Sequence, residues 1–205
     1  MRITSKQLDL IETGETPHQR AGRTARKAGN RFEQALGDMH KIYQAQCVAM
    51  LTPFAMPTRA VVQGVSRAGK SSGQPMRVVT GAAPYDFAGA MGPKTTFPGR
   101  HILVEAKSCA KPLKALPISL LRFGLKPKQL IRINVASHTF DAFSLVVWRN
   151  ESVVGVLTPD LIHKAYVSFR TENKNKIPWS HFIQCPVGSI DYLSVLDVWP
   201  EKSIE

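Results

Sequence analysis

Long hydrophobic runs, paired cysteines and acidic residues are what this 205-residue sequence has little of. No stretch approaches the roughly 18 consecutive apolar residues of a membrane-spanning helix. Neither a signal-peptide core nor a strongly basic amphipathic helix with an aromatic face is present. A membrane is therefore not the expected partner, and a cytoplasmic location is expected. Cysteine occurs three times, as Cys47, Cys109 and Cys185, never in a C-x-x-C pair. That spacing argues against a disulfide framework or a structural zinc site and for reduced thiols. The six histidines are scattered, and His40 has no second ligand at helical spacing, so it carries no zinc expectation. Acids are scarce beside bases: 15 Asp and Glu against 27 Lys and Arg leave a net charge of +12. Such a surface gains free energy by releasing the counterions condensed on a polyanion, which makes nucleic acid the first candidate partner.

What is present suffices for one substantial core, since 43% of the residues are hydrophobic, but hardly for a second full domain. Residues 1–20 are polar and interrupted by Gly14, Glu15 and Pro17, which predicts a flexible arm ahead of a single domain at 21–205. Over residues 23–40, Phe32, Leu36 and Met39 recur at helical spacing while Arg20, Arg23, Arg26, Lys27 and Arg31 crowd the leading half. A helix with a basic beginning is expected. Apolar, β-branched runs at 48–54, 60–65 and 76–80 predict strands, the last two closing a protruding basic hairpin within residues 58–80. Further strands are predicted at 101–107, 143–149 and 152–157, the last two joined by an Asn150-Glu151 turn. Pro127 opens a helix over 126–136, and Thr158-Pro159-Asp160 caps another. The order of elements predicts a mixed α/β or α+β fold.

Two motifs compete for the function. Gly64-Val65-Ser66-Arg67-Ala68-Gly69-Lys70-Ser71 matches the phosphate-loop pattern, which works only where the loop opens directly into a helix that holds the phosphates. Here Ser72, Gly73, Gln74 and Pro75 lead into a strand-like run. No nucleotide cofactor is expected, and the match reads as a basic tip rich in small residues. The second constellation is Asp86 followed by Glu105-Ala106-Lys107. Side chains two apart on a strand share a face, so Glu105 and Lys107 point one way while Val104 and Ala106 enter the core. Asp86 is expected just after a strand and turn, close enough to Glu105 for both to offer hard oxygen ligands to Mg²⁺, with Mn²⁺ as a substitute. Lys107 would lie beside the attacking water. A D...E-x-K pattern alone is commonly no more than a solvated strand face. Here the strand is otherwise strongly apolar, a helix bearing Glu33 precedes the motif, and one bearing Lys126, Lys128, Gln129 and Arg132 follows.

These residues together resemble the RecU-type Holliday junction resolvases, members of the PD-(D/E)xK, restriction-endonuclease-like nucleases. Gly29-Asn30-Arg31-Phe32-Glu33 resembles the family's first helix, and Leu51-Thr52-Pro53-Phe54 its first strand. Asp86 with Glu105-Ala106-Lys107 resembles its metal-binding core, and Lys128-Gln129-Leu130 its helix with an active-site glutamine. Lys176-Ile177-Pro178-Trp179 and Ile190-Asp191-Tyr192-Leu193 resemble its closing segments. The resemblance implies a restriction-endonuclease-like core with a central mixed sheet, the segment 60–80 as the stalk entering a four-way junction, and a metal-dependent endonuclease. Asp86, Glu105 and the carbonyl of Ala106 would bind the metal, and Glu33 would hold a second metal or act through water. Lys107 would orient the nucleophile and Gln129 would order the water or phosphate. DNA would be held by Arg23, Arg26, Lys27, Arg31, Arg59, Arg67, Lys70, Arg77, Lys126 and Lys128, mostly through phosphate. Paired cuts in strands of like polarity imply a two-fold homodimer. Two further readings share these residues: an endonuclease acting on duplex DNA, and a DNA-binding protein whose acidic cluster is only structural.

Overall fold

The computed structural model describes residues 16–54, 58–61, 76–79, 85–119, 124–196 and 198. Its first element is a long helix, α1 (Pro17–Ala45), capped by Thr16, whose hydroxyl accepts from Gln19 N–H while Gln19 Oε1 accepts from Thr16 N–H. The helix thus starts earlier and ends later than the periodicity predicts. Pro17, read from the sequence as a break, occupies the first helical position, where its missing N–H costs nothing. Residues 1–15, the rest of the expected arm, lie outside the described residues.

A six-stranded sheet follows in the order β1 (Ala49–Pro53), β4 (Phe87–Met91), β5 (His101–Cys109), β7 (Phe143–Asn150), β8 (Val153–Leu157), β10 (Ile183–Gln184). Only β5 and β7 run parallel; the other neighbours are antiparallel. β2 (Thr58–Val61) and β3 (Met76–Val79) form a separate antiparallel pair, within the expected hairpin. Its tip, including the phosphate-loop match with Arg67 and Lys70, lies outside the described residues. Strand β3 begins five residues beyond the last position of the motif. β6 (Ala115–Pro117) and β9 (Lys176–Pro178) make a third small sheet. The class is as expected: mixed α+β, with a central mixed sheet flanked by helices.

Alternation along the strands gives the sheet two apolar faces. Val104, Ala106, Leu145 and Val147 pack with Phe32, Leu36 and Tyr43 of α1. On the other face Val146, Trp148 and Leu157 pack with Leu130 and Ile133 of α2 (Pro127–Thr139) and Ile162 of α3 (Pro159–Thr171). There Trp148, Trp179 and Phe182 meet with ring centroids 4.9–5.4 Å apart.

Two local expectations are corrected, and one strand was not foreseen. Asp86 stands between β3 and β4, a strand that Phe-Ala-Gly-Ala-Met forms despite its weak β propensity. The small residues are needed there: a Cβ on Gly89 would lie 1.7 Å from the Met50 carbonyl oxygen of the neighbouring strand. The β7–β8 turn is shifted by one residue, with Asn150 paired to Val153 and Glu151 at φ 59°. Thr158 stands at the N-cap of α3, yet its hydroxyl makes no capping bond.

His40, on α1, is 2% exposed and packs edge-on against Phe87 at 4.5 Å. Its Nε2 is 2.7 Å from Tyr192 Oη, and its Nδ1 has no partner. Burial pushes its pKa down from 6.5 to about 4. The folded state therefore disfavours the proton that the unfolded chain takes up at pH 6.5. Stability from this group is complete above pH 6.5 and is lost as pH falls toward 4, by about 3 kcal/mol in all. Urea unfolding at pH 7.5 and pH 4.5 will show a larger loss for the wild type than for His40→Gln. Equal losses in the two proteins would mean that His40 is not held neutral.

Candidate active site

The site is assembled around the middle of β5. Backbone N–H of Asp86 donates to the Val104 carbonyl at 3.1 Å, and the Asp86 carbonyl accepts from Phe54 N–H at 2.9 Å, so Asp86 is clamped between β1 and β5. At this point β4 has run out, and the next donor on β5, Ala106 N–H, has lost its strand partner. The Asp86 side chain substitutes for it: Oδ2 accepts from Ala106 N–H at 2.7 Å. The two polar groups of one strand residue leave along the same edge, so the Ala106 carbonyl lies on the edge of β5 that Asp86 borders.

Glu105 enters the sheet face that α2 covers. It is 1% exposed and pairs in register with Val146, which makes it a carboxylate on an apolar surface. One oxygen, Oε1, accepts from both Lys107 Nζ and Gln129 Nε2, the latter at 2.6 Å. The other, Oε2, is buried and has no partner. Burial, with the charge of Asp86 in addition, pushes the Glu105 carboxyl up to about 7 against the opposing pull of Lys107. Val104 and Ala106 lie in the opposite core, as strand alternation predicts.

Gln129 reaches Glu105 because of where it sits on α2. Pro127 fixes the first helical residue and Lys126 is the N-cap. Gln129 is then the third residue, and its Oε1 accepts from Lys126 N–H at 3.0 Å while its Nε2 faces Glu105. One amide thus caps the helix and holds the carboxylate.

Glu33, from α1, lines a groove of about 850 Å³ together with Asn30, Gly37, Thr52, Phe54 and Asp86. Its pKa is raised, first by burial and then by Asp86, with Lys107 opposing. Glu33 is thus in electrostatic contact with the cluster. Tyr85, not singled out from the sequence, lines the same groove, packs into the α2-side core and donates to the Arg132 carbonyl at 3.3 Å. Its only sequence signal is adjacency to Asp86.

The donor set suits a hard divalent cation. The charge of Asp86 bears on Glu105, one oxygen of Glu105 is buried without a partner, and the ligands on offer are oxygens. Among the described residues no group of three or more His, Cys, Asp and Glu side chains is gathered closely enough to hold an ion. An ion there would have at most two carboxylates and a backbone carbonyl from this chain, with the rest of its shell left to water and substrate.

The basic residues divide. Lys27 and Arg31 on α1 are exposed, as is Arg23, and Lys126 and Lys128 are exposed at the start of α2 beside the site. Arg26 lies on α1, and Arg59 and Arg77 lie on β2 and β3. No helix among the described residues is long and apolar enough to cross a membrane.

Gln129→Ala removes both the capping acceptor and the donor to Glu105. It will lower stability by about 1–3 kcal/mol in urea unfolding. A wild-type midpoint would show that this bridge does not form in solution.

Among solved structures, the chain is similar to Hjc, a Holliday junction resolvase of the hyperthermophilic archaeon Archaeoglobus fulgidus. The two are 14% identical with a TM-score of 0.40, over 75% of this chain and 91% of that one. No protein-family model and no curated protein matches the chain.

Proposed function

We propose that this protein is a Mg²⁺-dependent endodeoxyribonuclease with a restriction-endonuclease-like core, of the RecU resolvase type, that cuts four-way DNA junctions by paired symmetric nicks as a cytoplasmic homodimer. The observation that carries the reading is the buried, partnerless oxygen of Glu105, set beside Asp86 and Lys107. A carboxylate driven into an apolar face costs stability even where Lys107 and Gln129 satisfy one of its oxygens, and the unsatisfied second oxygen supports a role in chemistry. The net charge of +12 supports a polyanionic substrate.

Asp86, Glu105 and the Ala106 carbonyl would hold the ion, with Glu33 acting across the groove on a second ion or through water. When bound, Mg²⁺ supplies a nucleophile at neutral pH and charge neutralisation at the phosphate. The chain's own residues do the rest. Lys107, tethered to Glu105, orients the attacking water and donates to a non-bridging oxygen as negative charge builds there. Gln129 fixes Glu105 from the far side and keeps its amide beside the water. Water attacks phosphorus on one side while the ester P–O bond breaks on the other. The exposed Lys126 and Lys128, with Arg23, Arg26, Lys27 and Arg31 on α1, Arg59 on β2, Arg77 on β3 and Arg67 and Lys70 from the sequence between those strands, supply phosphate contacts that set affinity more than sequence preference.

A labelled four-way junction and a linear duplex of the same sequence, incubated with Mg²⁺ or with EDTA, test the reading on wild type and Asp86→Asn. The expected outcome is symmetric paired nicks in the junction alone, abolished by EDTA and reduced at least about 100-fold by the substitution. Equal cutting of duplex would replace junction resolution with general endonuclease activity. Tight binding without cutting in any metal would leave a DNA-binding protein.

A further inference from the structure

Two concavities flank α1, and their electrostatics differ. The large groove carries Glu33, Asp38 and Asp86, and Lys41 within it is already paired to Asp38 at 2.7 Å. On the other side lies a smaller cavity of about 250 Å³, walled by Ala28 and Arg31 of α1, Ser108 and Cys109 of β5, Ala110, Arg149 of β7 and Glu151. Arg31 and Arg149 are exposed, and neither is in an ion pair among the described residues. Arg149 Nε donates to the Glu151 carbonyl at 3.1 Å, which fixes the stem and leaves the two terminal amino groups of its guanidinium for a ligand. Ser108 follows Lys107 directly and pairs in register with Arg149, so the cavity begins one residue beyond the lysine of the site.

Resting on the nuclease reading, the geometry points to this cavity as a subsite for a backbone phosphate of the DNA strand that enters the site. Arg31 and Arg149 form its two walls. Arg149 thereby becomes a substrate-binding residue. The volume admits a phosphate with part of its sugar. Two guanidiniums against the single carboxylate of Glu151 leave a net positive wall, and guanidinium forks match phosphate oxygens bidentately. The strand is therefore steered from Lys107 toward Arg31 and Arg149, along the side from which the exposed Lys27 also projects.

The test is binding of a fluorescent four-way junction by Asp86→Asn protein in EDTA, across a series of NaCl concentrations. Arg149→Ala is expected to weaken binding several-fold and to reduce the slope of log affinity against log salt by about 0.9, one phosphate's share of released counterion. Arg31→Ala should do the same, and the double variant should lose less than the sum, because both side chains serve one phosphate. Arg170→Ala, on the distant α3, is the charge-matched control. Unchanged slope and affinity for Arg149→Ala, at a melting temperature equal to the parent's, overturn the subsite while junction binding by the parent persists. Failure of the parent itself to bind DNA overturns the nuclease reading, and the subsite falls with it.

Discussion

A charged group held where water cannot reach it governs this structure. Glu105 stands on a strand whose other face and whose neighbours are apolar, and transfer of a carboxylate to such a place costs several kcal/mol unless it is compensated. Compensation arrives from two directions: Lys107, two residues on along the same strand, and Gln129, from the first turn of α2. Both bonds fall on the same oxygen. The arrangement is asymmetric in consequence, with one oxygen saturated and one left without a partner.

The rest of the fold can be seen as keeping that geometry. The parallel β5–β7 pair is buried on both faces, as parallel strands generally are, and so cannot shift register without moving every side chain from one core to the other. Asp86 is fixed by three backbone-directed hydrogen bonds to β1 and β5. Tyr85, immediately before it, reaches to the carbonyl of Arg132 on α2, so the loop carrying the aspartate and the helix carrying the glutamine are tied together. At the other end of α1, Tyr43 donates to Asp191 and accepts from Leu193 N–H, fastening the closing segment of the chain over the helix that presents Glu33.

Much of this was legible in the sequence where side-chain pattern and backbone chemistry agree. The 101–107 strand, the helix opened by Pro127 and the shared face of Glu105 and Lys107 follow from period two, proline at the first helical position and alternation. The fold class followed from the order of those elements. What escaped was decided by tertiary contact. The strand after Phe87 carries a glycine at 89 because the β1 backbone passes too close there for any side chain, and no propensity scale registers that. Pro17 looks like a breaker until Thr16 and Gln19 are seen to cap the turn it begins. His40 gave no signal beyond its isolation, yet it is buried among three aromatic rings. The cavity beside Ser108 joins residues more than a hundred positions apart, Ala28 and Arg31 with Arg149 and Glu151, and could not be read from spacing at all.

One proline has an effect on how the molecule behaves toward its own kind. β1 is an end strand of the main sheet, and Phe54 N–H turns inward to Asp86 while position 53 turns its nitrogen outward. That position is Pro53, which has no hydrogen to give. A foreign strand laid along this border would find donors at Ala49 and Leu51 and then a missing rung, just where the chain leaves the sheet. Growth of the sheet on that side is thereby cut short at its end, and stacking of copies into extended ribbons is discouraged by a single ring.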